Sequence, residues 1–185
     1  MGDKIGEGIP VFTGLPKVIT PEALRNLGAQ LNTSGAYGMY HILGFTPEAP
    51  TLEAAFGGKK PEREVVITDK DLRDFEEKFS DELPNGGKID FAMFGCPHFT
   101  LEEAKYIAEH IEGKKLSVPM YILVSSHALQ MAERMGIYDT LAAAGAELIS
   151  DSCPDQPCWH YLKGEVGITE SPKCAYYPRR RGINF

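Results

Sequence analysis

Ile89-Asp90-Phe91-Ala92-Met93-Phe94-Gly95-Cys96-Pro97-His98-Phe99-Thr100-Leu101-Glu102-Glu103 is the stretch on which the fold turns. From Ile89 to Gly95 it is apolar except for Asp90. Such a continuous run belongs to a strand buried on both faces, not to one with a wet side. Thr100 with Glu103 three residues later has the capping-box pattern, and it opens a helix predicted over Leu101–Ile111. A buried strand leading into a helix is half of a βαβ unit.

The same alternation extends both ways. Downstream, Val118–Val124 reads as another buried strand. Helices are predicted over Ser126–Met135 and Tyr138–Ala144, separated and ended by Gly136 and Gly145, and then a short strand over Glu147–Ser150. Upstream, Ile9–Thr13 is a short strand. Thr20-Pro21-Glu22 starts a helix to about Leu31, with Ala23, Leu24, Leu27 and Leu31 on one face. Ala36–Phe45 reads as a buried strand, Thr51–Phe56 as a short helix closed by Gly57-Gly58, and Glu64–Thr68 as a strand. Asp69–Glu82 is an amphipathic helix capped by Thr68 or Asp69, with Leu72, Phe75 and Phe79 facing inward, and Pro84-Asn85-Gly86-Gly87 is a turn. The expected fold class is α/β, a three-layer sandwich with a mostly parallel sheet, as a single lobe over 1–185.

Composition narrows the function classes. The 185 residues are 43% hydrophobic and 24% charged, which excludes disorder and collagen. No run approaches the roughly 18 apolar residues of a membrane span. Met1-Gly2-Asp3-Lys4-Ile5-Gly6 carries no apolar signal core, so a cytoplasmic chain is expected, with no membrane partner. The net charge of −7 argues against nucleic acid as a partner. The one basic cluster, Arg179-Arg180-Arg181, reads as a solvated tail.

Ligands of parallel sheets collect at the carboxyl ends of the strands. Three predicted ends carry chemistry: Cys96-Pro97-His98, Ser125-Ser126-His127 and Asp151-Ser152-Cys153-Pro154. The cysteines, Cys96, Cys153, Cys158 and Cys174, contain no C-x-x-C pair, which disfavours a zinc ribbon or thioredoxin-type site. Buried inert thiols are one reading of them. Cys96 and Cys153 each precede a proline at a turn, where a thiol is expected to be exposed, and thiolates from separate loops can hold an iron–sulfur cluster. His98 and His127 are acid–base or ligand-binding candidates, or helix-end and surface residues; His41 reads as a core histidine. Ser125 and Ser126 open a helix, as N-caps, as an anion cradle or as both. Lys173, beside Ser171 and Tyr177, could receive an acidic substrate; the same segment also reads as a surface loop packing its tyrosines.

Several strings in register carry a family resemblance. Phe94-Gly95-Cys96-Pro97-His98, Ser125-Ser126-His127 leading to Ala132-Glu133-Arg134-Met135-Gly136, and Ser150-Asp151-Ser152-Cys153-Pro154 resemble the catalytic large subunit of aconitase X. Gly8-Ile9-Pro10-Val11-Phe12-Thr13-Gly14 and Thr46-Pro47-Glu48-Ala49-Pro50-Thr51-Leu52 agree. The resemblance implies an aconitase-like lobe of an iron–sulfur hydro-lyase dehydrating a small hydroxy acid such as mevalonate 5-phosphate or cis-3-hydroxy-L-proline. It implies cluster ligation by Cys96 and Cys153, with Cys174 as a weaker third ligand, to a [4Fe-4S] or [2Fe-2S] cluster. It implies His98 and Ser126 as catalytic residues, and Ser125, Ser126, Ser171 and Lys173 as substrate-binding. Cys158 matches no motif of the family. The chain resembles only the C-terminal half of that subunit, so the implied partners are the missing N-terminal half and a small swivelling subunit. The alternatives are a non-catalytic α/β scaffold or regulatory domain without a cluster, and a zinc hydrolase using His98, His127 and cysteines.

Overall fold

The computed structural model describes residues 8–79 and 87–185. The chain divides into two compact units, Met1–Asp74 and Phe75–Phe185.

The first unit holds a two-stranded parallel sheet, β1 (Val11–Phe12) against β2 (His41–Ile42), joined by helix α1 (Pro21–Gly35). Thr20 caps α1 by accepting the Ala23 N–H at 3.2 Å, and Pro21 opens it as predicted. Leu31 is buried, but Ala23 is exposed. The strand expected over Ala36–Phe45 shrinks to two residues. Ala36 takes a left-handed conformation to end α1, and Ile42 accepts the N–H groups of Phe45 and Thr46 in a turn. The aromatic content of this run serves packing: Tyr37 is buried, while Tyr40 meets Phe12 edge-on and donates its hydroxyl to Leu24 O at 2.7 Å. His41 is half-buried, with Nδ1 3.4 Å from Thr46 Oγ1. Helix α2 (Leu52–Ala55) starts on Thr51.

Glu64–Thr68 forms no strand and lies exposed, with Val66 81% accessible; β-branched composition without a partner strand does not make a sheet. Helix α3 (Asp69–Phe79) runs through the division between the units. Thr68 and Asp71 close its start reciprocally: Thr68 N–H donates to Asp71 Oδ2 and Asp71 N–H to Thr68 Oγ1. Leu72 and Phe75, expected to face inward, are exposed. The predicted continuation to Glu82, the turn at 84–86 and the placement of the Phe79 side chain fall outside what is described.

The second unit contains the parallel sheet. Its strands are β3 (Phe91–Phe99), β4 (Met120–Val124), β5 (Ala146–Ser150) and β6 (Gly167–Ile168), in the order β5-β4-β3-β6. All pairings are parallel. Helices α4 (Leu101–Ile111), α5 (Ser126–Arg134) and α6 (Ile137–Ala144) cover one face, packing Ala104, Ala108, Ala132 and Leu141 against Ile122, Val124 and Leu148. The other face buries Phe91, Met93 and Leu123 under Trp159 and Leu162 of a 3-10 turn (Pro157–Leu162), Cys174 and Ala175 of helix α7 (Pro172–Tyr176), and Ile183 and Phe185. Residues 122–124 thus alternate between two cores, so the sheet is the middle of three layers. Asn184 forms an isolated parallel bridge to Val166.

The capping box at α4 forms as read. Thr100 Oγ1 accepts the Glu103 N–H at 3.2 Å, and Glu103 Oε2 accepts the Thr100 N–H at 2.7 Å. Replacing Thr100 by Ala removes the first bond and is expected to cost about 1 kcal/mol. The denaturant midpoint measures this; an unchanged midpoint contradicts it.

Arg179-Arg180-Arg181 is not a solvated tail. The 3-10 turn Pro178–Arg181 brings Arg180 and Arg181 onto Asp155, and Arg179 Nη2 donates to Phe185 O at 3.2 Å. Among the described residues no helix is long and apolar enough to cross a membrane.

Candidate functional site

The second unit brings three thiols into one field. β3 does not stop before Cys96 as its sequence suggests. Phe94 pairs with Ile122, yet the next pair is Phe99 with Val124, so 95–98 bulges out of the ladder. A bulge at a sheet's working end re-aims side chains. This one turns Cys96 into the core under Trp159 and α7, where it is 9% exposed. The expectation of an exposed Cys96 thiol is therefore corrected: a Cys-Pro step inside a bulge differs from one in a free loop. Cys153, in the loop after β5, is exposed as expected. Cys174, on α7, is buried.

Burial pushes the Cys96 thiol up to about 11; nearby Lys173 and the Ser171 hydroxyl pull it down, and Cys153 and Glu170 push it further up. Burial likewise raises Cys174 well above the usual thiol range, with Cys96 and Cys153 adding to the rise. Cys153 thus acts on Cys96, and Cys96 and Cys153 act on Cys174. Cys158 is exposed, and its thiol reaches only Gln156 Oε1, at 3.9 Å.

Ser171 ties two thiol-bearing segments together. It is 1% exposed; its hydroxyl donates to Cys96 O and accepts the Cys174 N–H at 3.2 Å, capping α7. A group so enclosed braces the two segments against each other. The segment read as a surface loop holds the five-residue helix α7. Lys173 is half-buried and close enough to act on Cys96. Glu170, not singled out in the sequence, accepts the Gly95 N–H at 2.9 Å. Desolvation raises its carboxyl pKa, while the amides of Gly95 and Cys96 and the Thr169 hydroxyl work the other way.

The start of α5 lies at the same sheet edge. Ser125 is the N-cap, its Oγ accepting the Ala128 N–H at 3.2 Å. Ser126 and His127 are exposed. The Ser126 N–H donates to Asp151 Oδ1 at 3.1 Å, so a carboxylate of this chain already sits on the helix N-terminus. Asp151 adopts φ 52°, a left-handed turn that lets its side chain fold back. The loop it opens has further ties: Ser152 O lies 2.7 Å from His98 Nε2, Cys153 O accepts Trp159 Nε1–H at 3.0 Å, and Asp155 receives Arg180 and Arg181.

Among the described residues no three His, Cys, Asp or Glu side chains stand close enough to grip one metal ion. Three thiols within mutual electrostatic range are nevertheless a soft donor set of the kind that iron–sulfur clusters take, and a polynuclear cluster holds its thiolates farther apart than one ion does. The donors fit the group. A cleft of about 630 Å³ bearing Lys59, Lys60 and Arg63 belongs to the first unit and takes in none of these residues.

The raised thiol pKa values set a pH dependence. Cys96 is harder to ionise folded than unfolded, so its contribution to stability is full below about pH 9 and is lost as pH rises towards 11. Thermal melts of the metal-free chain are expected to fall across that window. A flat alkaline limb contradicts the burial of Cys96.

Two family models match the chain: "Aconitase X second domain" over residues 1–77 and "Aconitase X third domain" over residues 89–185. The phosphomevalonate dehydratase large subunit of Thermococcus kodakarensis is 32% identical over the whole chain, which covers 46% of that protein. The cis-3-hydroxy-L-proline dehydratase of Pseudomonas aeruginosa is 37% identical over 78% of the chain and 25% of that protein. The crystal structure of holo aconitase X from Thermococcus kodakaraensis superposes with a TM-score of 0.83 at 30% identity, covering 99% of this chain and 45% of that one. The chain thus spans about half the length of the first relative and a quarter of the second.

Proposed function

From the premise that this chain belongs to the aconitase X family, we propose that it supplies the second and third domains of an iron–sulfur-dependent dehydratase, a hydro-lyase acting on a small hydroxy acid. The observation that carries this reading is that Cys96 and Cys174 share one core and that Cys153 acts electrostatically on both. These three residues would hold the cluster. Bound there, a cluster with an iron free of protein thiolate supplies a Lewis acid for the departing hydroxyl. Binding requires the thiols to lose their protons, which the high pKa of Cys96 opposes and neighbouring Lys173 favours. Lys173 would then hold a substrate carboxylate. Ser126 keeps its side chain exposed at the start of α5 and would add a hydroxyl contact. Ser125 and Ser171 are engaged as caps, and they serve the site by ordering it.

The partners in this reading are a polypeptide carrying the family's first domain and a small swivelling subunit. The free cysteines suit a reducing compartment, which favours the cytoplasm. The relatives named for phosphomevalonate and for cis-3-hydroxy-L-proline make these two the substrates to try. The test combines the reconstituted chain with the first-domain segment and small subunit of the Thermococcus relative and follows dehydration of each compound. Loss of water from either supports the proposal; a cluster-loaded assembly inert towards both removes these substrates. One observation favours the rival reading, a non-catalytic domain: Cys96 and Cys174 are buried and held protonated, as inert thiols are. Cluster content separates the two.

A further inference from the structure

We propose that His98 is a positioning residue that pins the loop carrying Cys153 to the strand end carrying Cys96. His98 Nε2 lies 2.7 Å from Ser152 O. A carbonyl oxygen only accepts, so Nε2 carries the hydrogen and the ring is held with that nitrogen engaged. His98 stands two residues after Cys96, and Ser152 one residue before Cys153. One hydrogen bond therefore joins the backbones beside two of the three interacting thiols.

The loop's other ties come from elsewhere. Asp151 bonds back to β4 through Val124 O and to α5 through Ser126 N–H. Trp159 Nε1–H, from the 3-10 turn packed over the same core as Cys96, holds Cys153 O. Arg180 and Arg181 hold Asp155 from the last 3-10 turn. None of these starts at the Cys96 bulge. His98 alone among these contacts sets the loop relative to Cys96, while Ser171 does the same for Cys174 through Cys96 O and Cys174 N–H. The Cys153 loop is thus tied to the Cys96 bulge by His98, and the Cys174 segment by Ser171 and Glu170.

The pin stands on the contact itself; its consequence for the cluster rests on the reading proposed above. The test uses the full chain with His98→Gln, His98→Asn and His98→Ala. The amide nitrogen of Gln reaches where Nε2 stands and can donate to Ser152 O; that of Asn stands where Nδ1 does and falls short. In the metal-free chain, amide exchange over 151–156 is expected to rise about two- to tenfold in the Ala and Asn variants, with 120–124 unchanged and the Gln variant close to wild type. Nitrogen-15 spectra of the unsubstituted protein, which need no variant to fold, are expected to show His98 as the Nε2–H tautomer. Iron and sulfide uptake should follow the order wild type, Gln, then Asn and Ala. Equal exchange in all variants, an Nδ1–H tautomer, or a Gln variant as impaired as Ala overturns the pin. Expected exchange and tautomer in a wild-type chain that takes up no sulfide would leave the pin standing and remove the cluster reading instead.

Discussion

Cys96→Ala is expected to take up less than about a tenth of the iron and acid-labile sulfide of the unsubstituted protein. Losing an outer contact to a metal ligand already costs about 10–100-fold in affinity, and losing the ligand costs at least as much. Ala fits the space of Cys96, so the variant should still fold. Cys158→Ala is the matched control. Cys158 is exposed and is not among the groups that shift Cys96 or Cys174. Its loss should leave uptake unchanged. Full uptake by Cys96→Ala, or equal losses in both variants, contradicts the ligand assignment.

Gly95→Ala is expected to have the largest effect on folding. Gly95 has φ 91°, where an L side chain is strained, and a Cβ there would stand 2.2 Å from Leu123 O. Leu123 is 0% exposed in the central strand β4, so its backbone has no room to retreat. The conflict is backbone against backbone, and no rotamer relieves it. A loss of at least about 3 kcal/mol is expected, a large part of the 5–15 kcal/mol typical of a domain. For a chain of this size that is a fall of roughly 6–12 °C in Tm. A melting temperature within about 2 °C of wild type contradicts the tight approach of the bulge to β4. The same change would move the Cys96 segment, so cluster uptake should fall with stability.

The second unit was largely legible in the sequence, because its strands are buried on both faces and its helices carry explicit caps. Thr100 with Glu103, the N-cap at Ser125 and the glycines 136 and 145 all lie where they were read. The first unit was less legible. Ala36–Phe45 and Glu64–Thr68 are rich in aromatic and β-branched residues, yet most of them pack in turns or lie exposed. Composition reports what could line a sheet, and the partner strand decides whether one forms.

Within the site, the residue types were visible and their duties were not. Ser171 was read as a substrate contact, and its bond to Cys96, 75 residues away, is made only by the fold. Arg180 and Arg181 looked like a tail because Asp155 lies 25 and 26 residues away. Glu170 acts on Gly95, 75 residues away, and no local pattern marks it. The bulge that buries Cys96 had one local sign, the glycine before it, whose φ no other residue would adopt there without strain.

The central claim is that Cys96, Cys153 and Cys174 together hold one iron–sulfur cluster. It is tested most directly by iron and acid-labile sulfide content after anaerobic reconstitution, on the chain alone and with a first-domain polypeptide present. The account predicts that iron and sulfide enter together in stoichiometric amounts in at least one of these states, and that replacing any of the three cysteines by Ala removes both. Folded protein that takes up no sulfide in either state would contradict it.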